Sequence, residues 1–165
     1  MSVFENHDSE SLIGTIIDGR YEIESEQSRS SSSKSFVAND QRSGSQVILR
    51  LFSAEASAQY GAELLAEAVE VSEISHPHIV RLTNSGRTKV NDTERVFTVQ
   101  ERLTGGSLQD MIDRNRLLTP SQALVVGLEV CRALDYAHKR GMSHHDLRPS
   151  SILFGEDRKV RVAAF

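Results

Sequence analysis

The 165 residues are 38% hydrophobic and 25% charged, the balance of an ordinary globular domain, and a formal net charge of −4 with scattered basic residues gives no electrostatic footprint for nucleic acid. No polybasic stretch suits an anionic lipid surface, and no apolar run approaches the roughly 20 residues that a membrane-spanning helix needs, so neither partner is expected within this sequence. The single Cys131 cannot close an internal disulfide and the polar start lacks the basic and apolar regions of a signal peptide, which predicts a cytoplasmic address.

Residues 1–11 read as a polar leader, after which Leu12 to Ile23 begins strand-like sequence. Six of the nine residues from Gln27 to Ser35 are serine, but apolar strand-like segments on both sides make a hairpin loop the better reading than a linker. The turn formers Asn39 to Gly44 then separate Phe36-Val37-Ala38 from the apolar run Val47 to Phe52, giving two more antiparallel strands. From Ser57 to Ile74, Tyr60, Leu64, Ala68, Val71 and Ile74 recur at steps of three and four, an amphipathic helix with Glu67 at the border of its stripe. Past Pro77, Ile79 to Leu82 and Val96 to Val99 supply strands around a polar turn from Lys89 to Glu94, which completes a sheet of about five strands.

Gly105-Gly106 marks a hinge, with Ser107 as N-cap and Asp110 in the first turn of a short helix ending near Asn115. Thr119, Pro120 and Gln122 supply an N-cap, a first-turn proline and a capping-box partner for a helix that is apolar nearly all round, through Leu124, Val125, Val126, Leu128, Val130 and Leu134. Such a helix needs cover on several sides. Gly141 is its expected stop, and two short strands, Ser151 to Phe154 and Lys159 to Val162, follow the loop at His144.

That loop, His144-His145-Asp146-Leu147-Arg148-Pro149-Ser150-Ser151-Ile152-Leu153, resembles the protein-kinase catalytic loop H-R-D-L-K-P-x-N-I-L. Gly19-Arg20-Tyr21-Glu22-Ile23, His76-Pro77-His78-Ile79-Val80, Gly105-Gly106-Ser107-Leu108 and Ala133 to His138 extend the likeness to the eukaryotic-like serine/threonine kinases of bacteria, from about Leu12 to Phe165. The resemblance implies an α+β kinase-like fold. An antiparallel five-stranded N-lobe with one helix would span about 12–103, and the first, mainly helical part of a C-lobe 104–165, stopping at the D-F-G position.

The same resemblance implies what each chemical part has become. The three glycines of the phosphate-covering loop correspond to Ser28, Ser30 and Ser33, and serine lacks the freedom at positive φ that lets backbone N–H groups close on phosphate. Arg50 stands for the strand lysine and Glu67 for its helical partner. An Arg50–Glu67 ion pair is therefore expected, with Lys34 facing the other side of its strand from Ser33 and Ser35. Ser151 replaces the magnesium-binding asparagine and Ala164 the D-F-G aspartate, while Asp146 keeps the position of the catalytic base and is expected to act as a structural carboxylate bonded to the loop backbone. His145 replaces the loop arginine, and the remaining histidines are read as packing groups, with no completed zinc-type ligand set.

The leading expectation is a pseudokinase module that binds or regulates a partner protein. An atypical ATP-binding serine/threonine kinase with residual transfer is the alternative, because the hinge at Glu101 and Leu103 would recognise a base through backbone groups; a functionless remnant is the third. No cofactor is expected, weak ATP binding without magnesium is allowed, and the apolar helix from Pro120 is a candidate for self-association.

Overall fold

A computed structural model describes residues 11–163; the leader, apart from Ser11, and the D-F-G position at Ala164 lie outside them. The N-terminal half is one antiparallel sheet. Its strands are β1 (Ile16–Ile17), β2 (Tyr21–Arg29), β3 (Ser33–Asp40), β4 (Ser45–Phe52), β5 (Leu82–Val90) and β6 (Thr93–Glu101), in the order β1-β2-β3-β4-β6-β5. The expected five strands are present, and the two-residue β1 adds a sixth at the edge by pairing with Glu22 and Tyr21.

Alternation decides which side chains close the core. Tyr21 and Ile23 on β2, Phe36 and Ala38 on β3, Leu49 and Leu51 on β4, and Phe97 and Val99 on β6 are buried in one cluster. β3 and β4 stay in register from Ser33↔Phe52 to Asp40↔Ser45. Asp40 holds the connecting turn, where its carboxylate accepts from the Arg42 amide at 3.0 Å and the Ser43 hydroxyl at 2.9 Å and Gly44 takes φ +69°. Across the sheet Asp40 also receives two hydrogen bonds from the Arg20 guanidinium, at 2.6 and 2.7 Å, which hold its carboxyl far below the usual range.

Helix α1 (Ala54–Ser72) starts at the Ser53 cap, whose side chain accepts from the Ala56 amide. Its packed face keeps Ala68 and, just past the helix, Ile74 of the expected stripe but departs from it at Tyr60. The buried residues inside it are the small Ser57, Gly61 and Ala68, while Tyr60 is 51% exposed. The Ser57 hydroxyl accepts the buried Val96 amide at 2.9 Å, and a Cβ at Gly61 would sit 3.1 Å from Arg87 and 3.3 Å from Val96, so close approach to β5 and β6 selects small residues. The next hairpin is also longer than expected. β5 runs through Lys89 to Val90 and turns at Asn91 and Asp92, both at positive φ, the two-residue turn that suits strand twist. Ile79 and Val80 belong instead to a connection that bonds to Val162.

The second half holds α2 (Leu108–Asp113), α3 (Pro120–His138), a single 3-10 turn (Pro149–Ser151) and the hairpin β7 (Ile152–Phe154) and β8 (Val160–Val162). Both helices start at the expected caps, Thr119 with its capping-box partner Gln122 and Ser107, where Asp110 closes a capping box as well, and Gly141 has φ +76° just past α3. Val130 and Ala133 of α3 pack with Ile74, Ile79, Ile152, Val160 and Val162. A buried polar clamp ties these pieces: Glu129 accepts the Val160 amide at 2.8 Å, and His78 Nδ1–H donates to the Val160 carbonyl at 2.9 Å. Burial and the neighbouring His78 and Arg140 push the His76 imidazole below its ordinary pKa, and its ring stacks 4.7 Å from that of Tyr136. No helix among the described residues is long and apolar enough to cross a membrane.

Candidate functional site

A cleft of about 530 Å³ opens between the sheet and the second half. Strand alternation aims Ile48 and Arg50 into it from β4, Thr98 and Gln100 from β6, and Ser28 and Ser35 from the first hairpin. Glu101 and Leu103 form its back edge, and Asp146, Arg148, Ser151 and Leu153 its far wall. The residues matched to the nucleotide site thus converge, with exceptions. Ser30 and Ser33 are not among the lining residues; they close the hairpin on itself, the Ser30 amide donating to the Ser33 carbonyl at 2.8 Å and the Ser33 amide to the Ser30 hydroxyl at 3.1 Å. Two amides of this loop are therefore spent within the turn. Lys34 is absent from the wall that Ser35 joins, as alternation requires.

Arg50 lines both this cleft and a smaller cavity of about 180 Å³ behind it, between α1 and the sheet, where Glu67, Leu64 and Val71 form the other side. Both members of the expected pair face one cavity. They do not pair: no ion pair joins Arg50 to Glu67, and Glu67 is exposed on α1. The physical reason lies in the packed face of α1, because seating the helix on Ser57, Gly61 and Ala68 leaves Glu67 turned toward solvent. Burial pulls the Arg50 guanidinium below its ordinary pKa.

Asp146 departs from its expected role too. Its carboxylate binds the Arg148 guanidinium, which donates from Nε to Oδ1 at 2.9 Å and from Nη2 to both oxygens, and no loop amide donates to it. An Asp-x-Arg spacing carried this contact in the sequence, but only the backbone before the 3-10 turn folds the guanidinium back onto the acid; His145, immediately before Asp146, sits at φ 26°, a region that non-glycine residues rarely adopt. Ser151 is buried, and its hydroxyl donates to the Arg148 carbonyl at 2.8 Å while accepting the Arg148 amide at 3.1 Å. The kinase resemblance implies a magnesium nucleotide at this wall. The groups at the two matched positions do not fit the ion, since the Asp146 carboxylate is paired with an arginine and the Ser151 hydroxyl is turned onto main chain.

Scaffold contacts around the wall are close. The buried His144 Nε2–H donates to the Ala163 carbonyl at 2.6 Å, and the Ala163 amide donates to the Ser151 carbonyl at 2.9 Å. At the back edge Glu101 accepts the Arg81 amide at 2.8 Å, whereas the amide and carbonyl of Leu103 enter no hydrogen bond among the described residues and are open to a ligand. Sequence reasoning passed over Ile48, which puts a large side chain in the cleft opposite Leu153; its place two residues before Arg50 on one strand was the available signal.

Comparison with known proteins accounts for this arrangement. Over 164 residues the chain is 31% identical to a probable serine/threonine-protein kinase PknB of Bifidobacterium longum, covering 95% of this chain and 24% of that protein. A probable serine/threonine-protein kinase of Streptomyces coelicolor is 26% identical over 149 residues, 89% of this chain and 22% of its own length. The chain thus spans about a quarter of the curated relatives it matches. The Mycobacterium tuberculosis PknI kinase domain superposes with a TM-score of 0.78 at 21% identity, over 94% of this chain and 61% of that one, and Rad53 in complex with AMP-PNP with 0.75 at 23%, over 88% and 38%. These likenesses show the fold. The family model for the protein kinase domain matches residues 21–165, and the chain belongs to the protein kinase family.

Proposed function

We propose that this protein is a catalytically impaired kinase-like module, a pseudokinase that acts in the cytoplasm by binding or regulating a partner protein. One observation carries the reading. Asp146, at the position of the catalytic base, is paired with Arg148, and the neighbouring Ser151 hydroxyl is committed to the Arg148 backbone, an arrangement that supports neither proton acceptance from a substrate nor a metal. Absent metal neutralisation of developing charge, phosphoryl transfer loses its main stabilisation, and each ~1.4 kcal/mol of barrier is a factor of ten in rate. The test is phosphate transfer from magnesium ATP to the chain itself and to a generic protein substrate. No transfer above background is expected, and transfer that Asp146→Asn abolishes would overturn the proposal.

A second reading, nucleotide binding without chemistry, is favoured by the open Leu103 backbone and by the Arg50 guanidinium in the cleft. Ile48 opposes it by placing a large side chain in the cleft. A small thermal shift with ATP, unchanged by magnesium, supports this reading; a shift that grows substantially with magnesium contradicts it. The exposed Leu124, Val125 and Leu128 on α3 offer the surface for a protein partner, including a second copy of the chain.

A further inference from the structure

The serine-rich hairpin that lost its phosphate-binding role has the features of a phosphate-accepting one. Ser31 and Ser32 stand at the tip between Arg29 and Lys34; both are exposed, and neither hydroxyl has a hydrogen-bond partner among the described residues. Register pairs Arg29 with Lys34 directly across the hairpin, which places two cations at the base of the tip. The segment 24–32 is exposed throughout, and the bonds between Ser30 and Ser33 that close the tip lie at the surface where water can replace them, so a modifying enzyme can reach it while β3 beyond it stays anchored by Phe36, Val37 and Ala38.

We propose that Ser31 and Ser32 are a phosphoacceptor site for a serine/threonine kinase that favours a basic residue N-terminal to its target, and that the added phosphoryl group draws Arg29 away from Glu26. In the transfer the serine Oγ forms a bond to the γ-phosphorus of a nucleoside triphosphate as the bond from that phosphorus to the β,γ-bridging oxygen breaks. The hydroxyl proton passes to the visiting enzyme's base and a nucleoside diphosphate leaves. Arg29 now donates from Nε and Nη2 to the two carboxylate oxygens of Glu26 at 3.0 Å each, an exposed contact that holds the Glu26 carboxyl below its ordinary pKa. A phosphoserine two or three residues away offers more charge and three acceptor oxygens, so the guanidinium exchanges partners. Because Arg29 and Ser28 line the cleft, the exchange rearranges the cleft mouth. The chain is acceptor here and not donor, so the inference stands apart from the proposal that it transfers no phosphate.

The experiment incubates the full chain with magnesium ATP, with and without a purified basophilic serine/threonine kinase, and maps phosphate by mass spectrometry after cleavage at glutamates. Phosphate on Ser31 or Ser32 that needs the added kinase, and is lost in the Ser31→Ala/Ser32→Ala variant, is the expected result. Phosphate confined to other serines such as Ser43 or Ser121, or a labelled 27–35 peptide beside an unlabelled folded chain, overturns the site. Label without added kinase overturns the preceding function and leaves the acceptor site standing. Phosphorus NMR titration reads the exchange: the phosphoserine second pKa should fall below its ordinary value of about 6 and return toward it in Arg29→Gln. Equal values in the two proteins overturn the Arg29 contact.

Discussion

The sheet and helix α3 are both rich in apolar residues, yet one closes its own core and the other does not. Leu49, Val96 and Val99 are fully buried, whereas Leu124, Val125 and Leu128 on α3 are 76%, 56% and 52% exposed. A strand needs one apolar face per layer and finds it across the sheet, but a helix that is apolar all round is covered among the described residues on one side, by the β7–β8 hairpin with Ile74, Ile79 and Leu108. The same residue type therefore has opposite energetic weight in the two regions. Leu49→Ala should cost ~3 kcal/mol by cavity formation and lower the urea midpoint accordingly. Leu128→Ala should stay within ~0.5 kcal/mol while reducing self-association in sedimentation. Equal losses at the two positions would mean that α3 is covered in solution by a contact as tight as the core.

Charged groups repeat the contrast on a smaller scale. Asp40 is buried and bidentate to Arg20, whereas Asp135 on α3 meets Lys139 at 2.7 Å with both side chains exposed. Asp40→Asn should cost ~2 kcal/mol at neutral pH because a charged hydrogen-bond acceptor is lost, and Asp135→Asn should leave the midpoint unchanged. The sign with pH follows from the direction of the shift. Since the folded carboxyl of Asp40 lies below its unfolded value, its contribution is complete above the ordinary carboxylate pKa and fades as pH falls through the folded one. The gap between wild type and Asp40→Asn should thus be constant from pH 7 to about 5 and narrow below about 4. A gap that widens on acidification would remove Asp40 from the account.

Local chemistry was the legible part of the sequence. The N-cap at Ser107, the capping box at Thr119, the stop at Gly141 and the alternation that separates Lys34 from Ser35 depend on residues a few positions apart, and the structure keeps all of them. What sequence reasoning missed depends on contacts between distant segments. The packed face of α1 is set by how closely Gly61 approaches Arg87 and Val96, which periodicity cannot weigh against a larger apolar stripe through Tyr60. Asn91 and Asp92 support the tight turn at positive φ, but the polar run around them masked the strand ends. In the cleft, motif positions located Arg50, Glu67, Asp146 and Ser151, and the structure puts all but Glu67 in one wall system. Their hydrogen-bond partners, Arg148 above all, were set by loop geometry instead.

The smallest expected effect separates position from pairing at Arg50 and Glu67. If the two shared a buried ion pair, losing either partner would strand the other charge, and the double variant would be less damaged than the sum of the singles. The structure instead leaves Glu67 exposed and Arg50 desolvated without a carboxylate in reach. Glu67→Ala should then change stability by no more than ~0.5 kcal/mol, as an exposed helix position. Arg50→Met removes a charge whose desolvation nothing offsets and keeps the apolar stem, so it should be neutral or stabilising by ~1 kcal/mol, and the double variant should equal the sum. Urea denaturation of the four proteins at one pH measures the cycle. A coupling above ~1 kcal/mol would mean that α1 rotates in solution to bring Glu67 onto Arg50, and that the seat of the helix on Ser57, Gly61 and Ala68 is one of two arrangements.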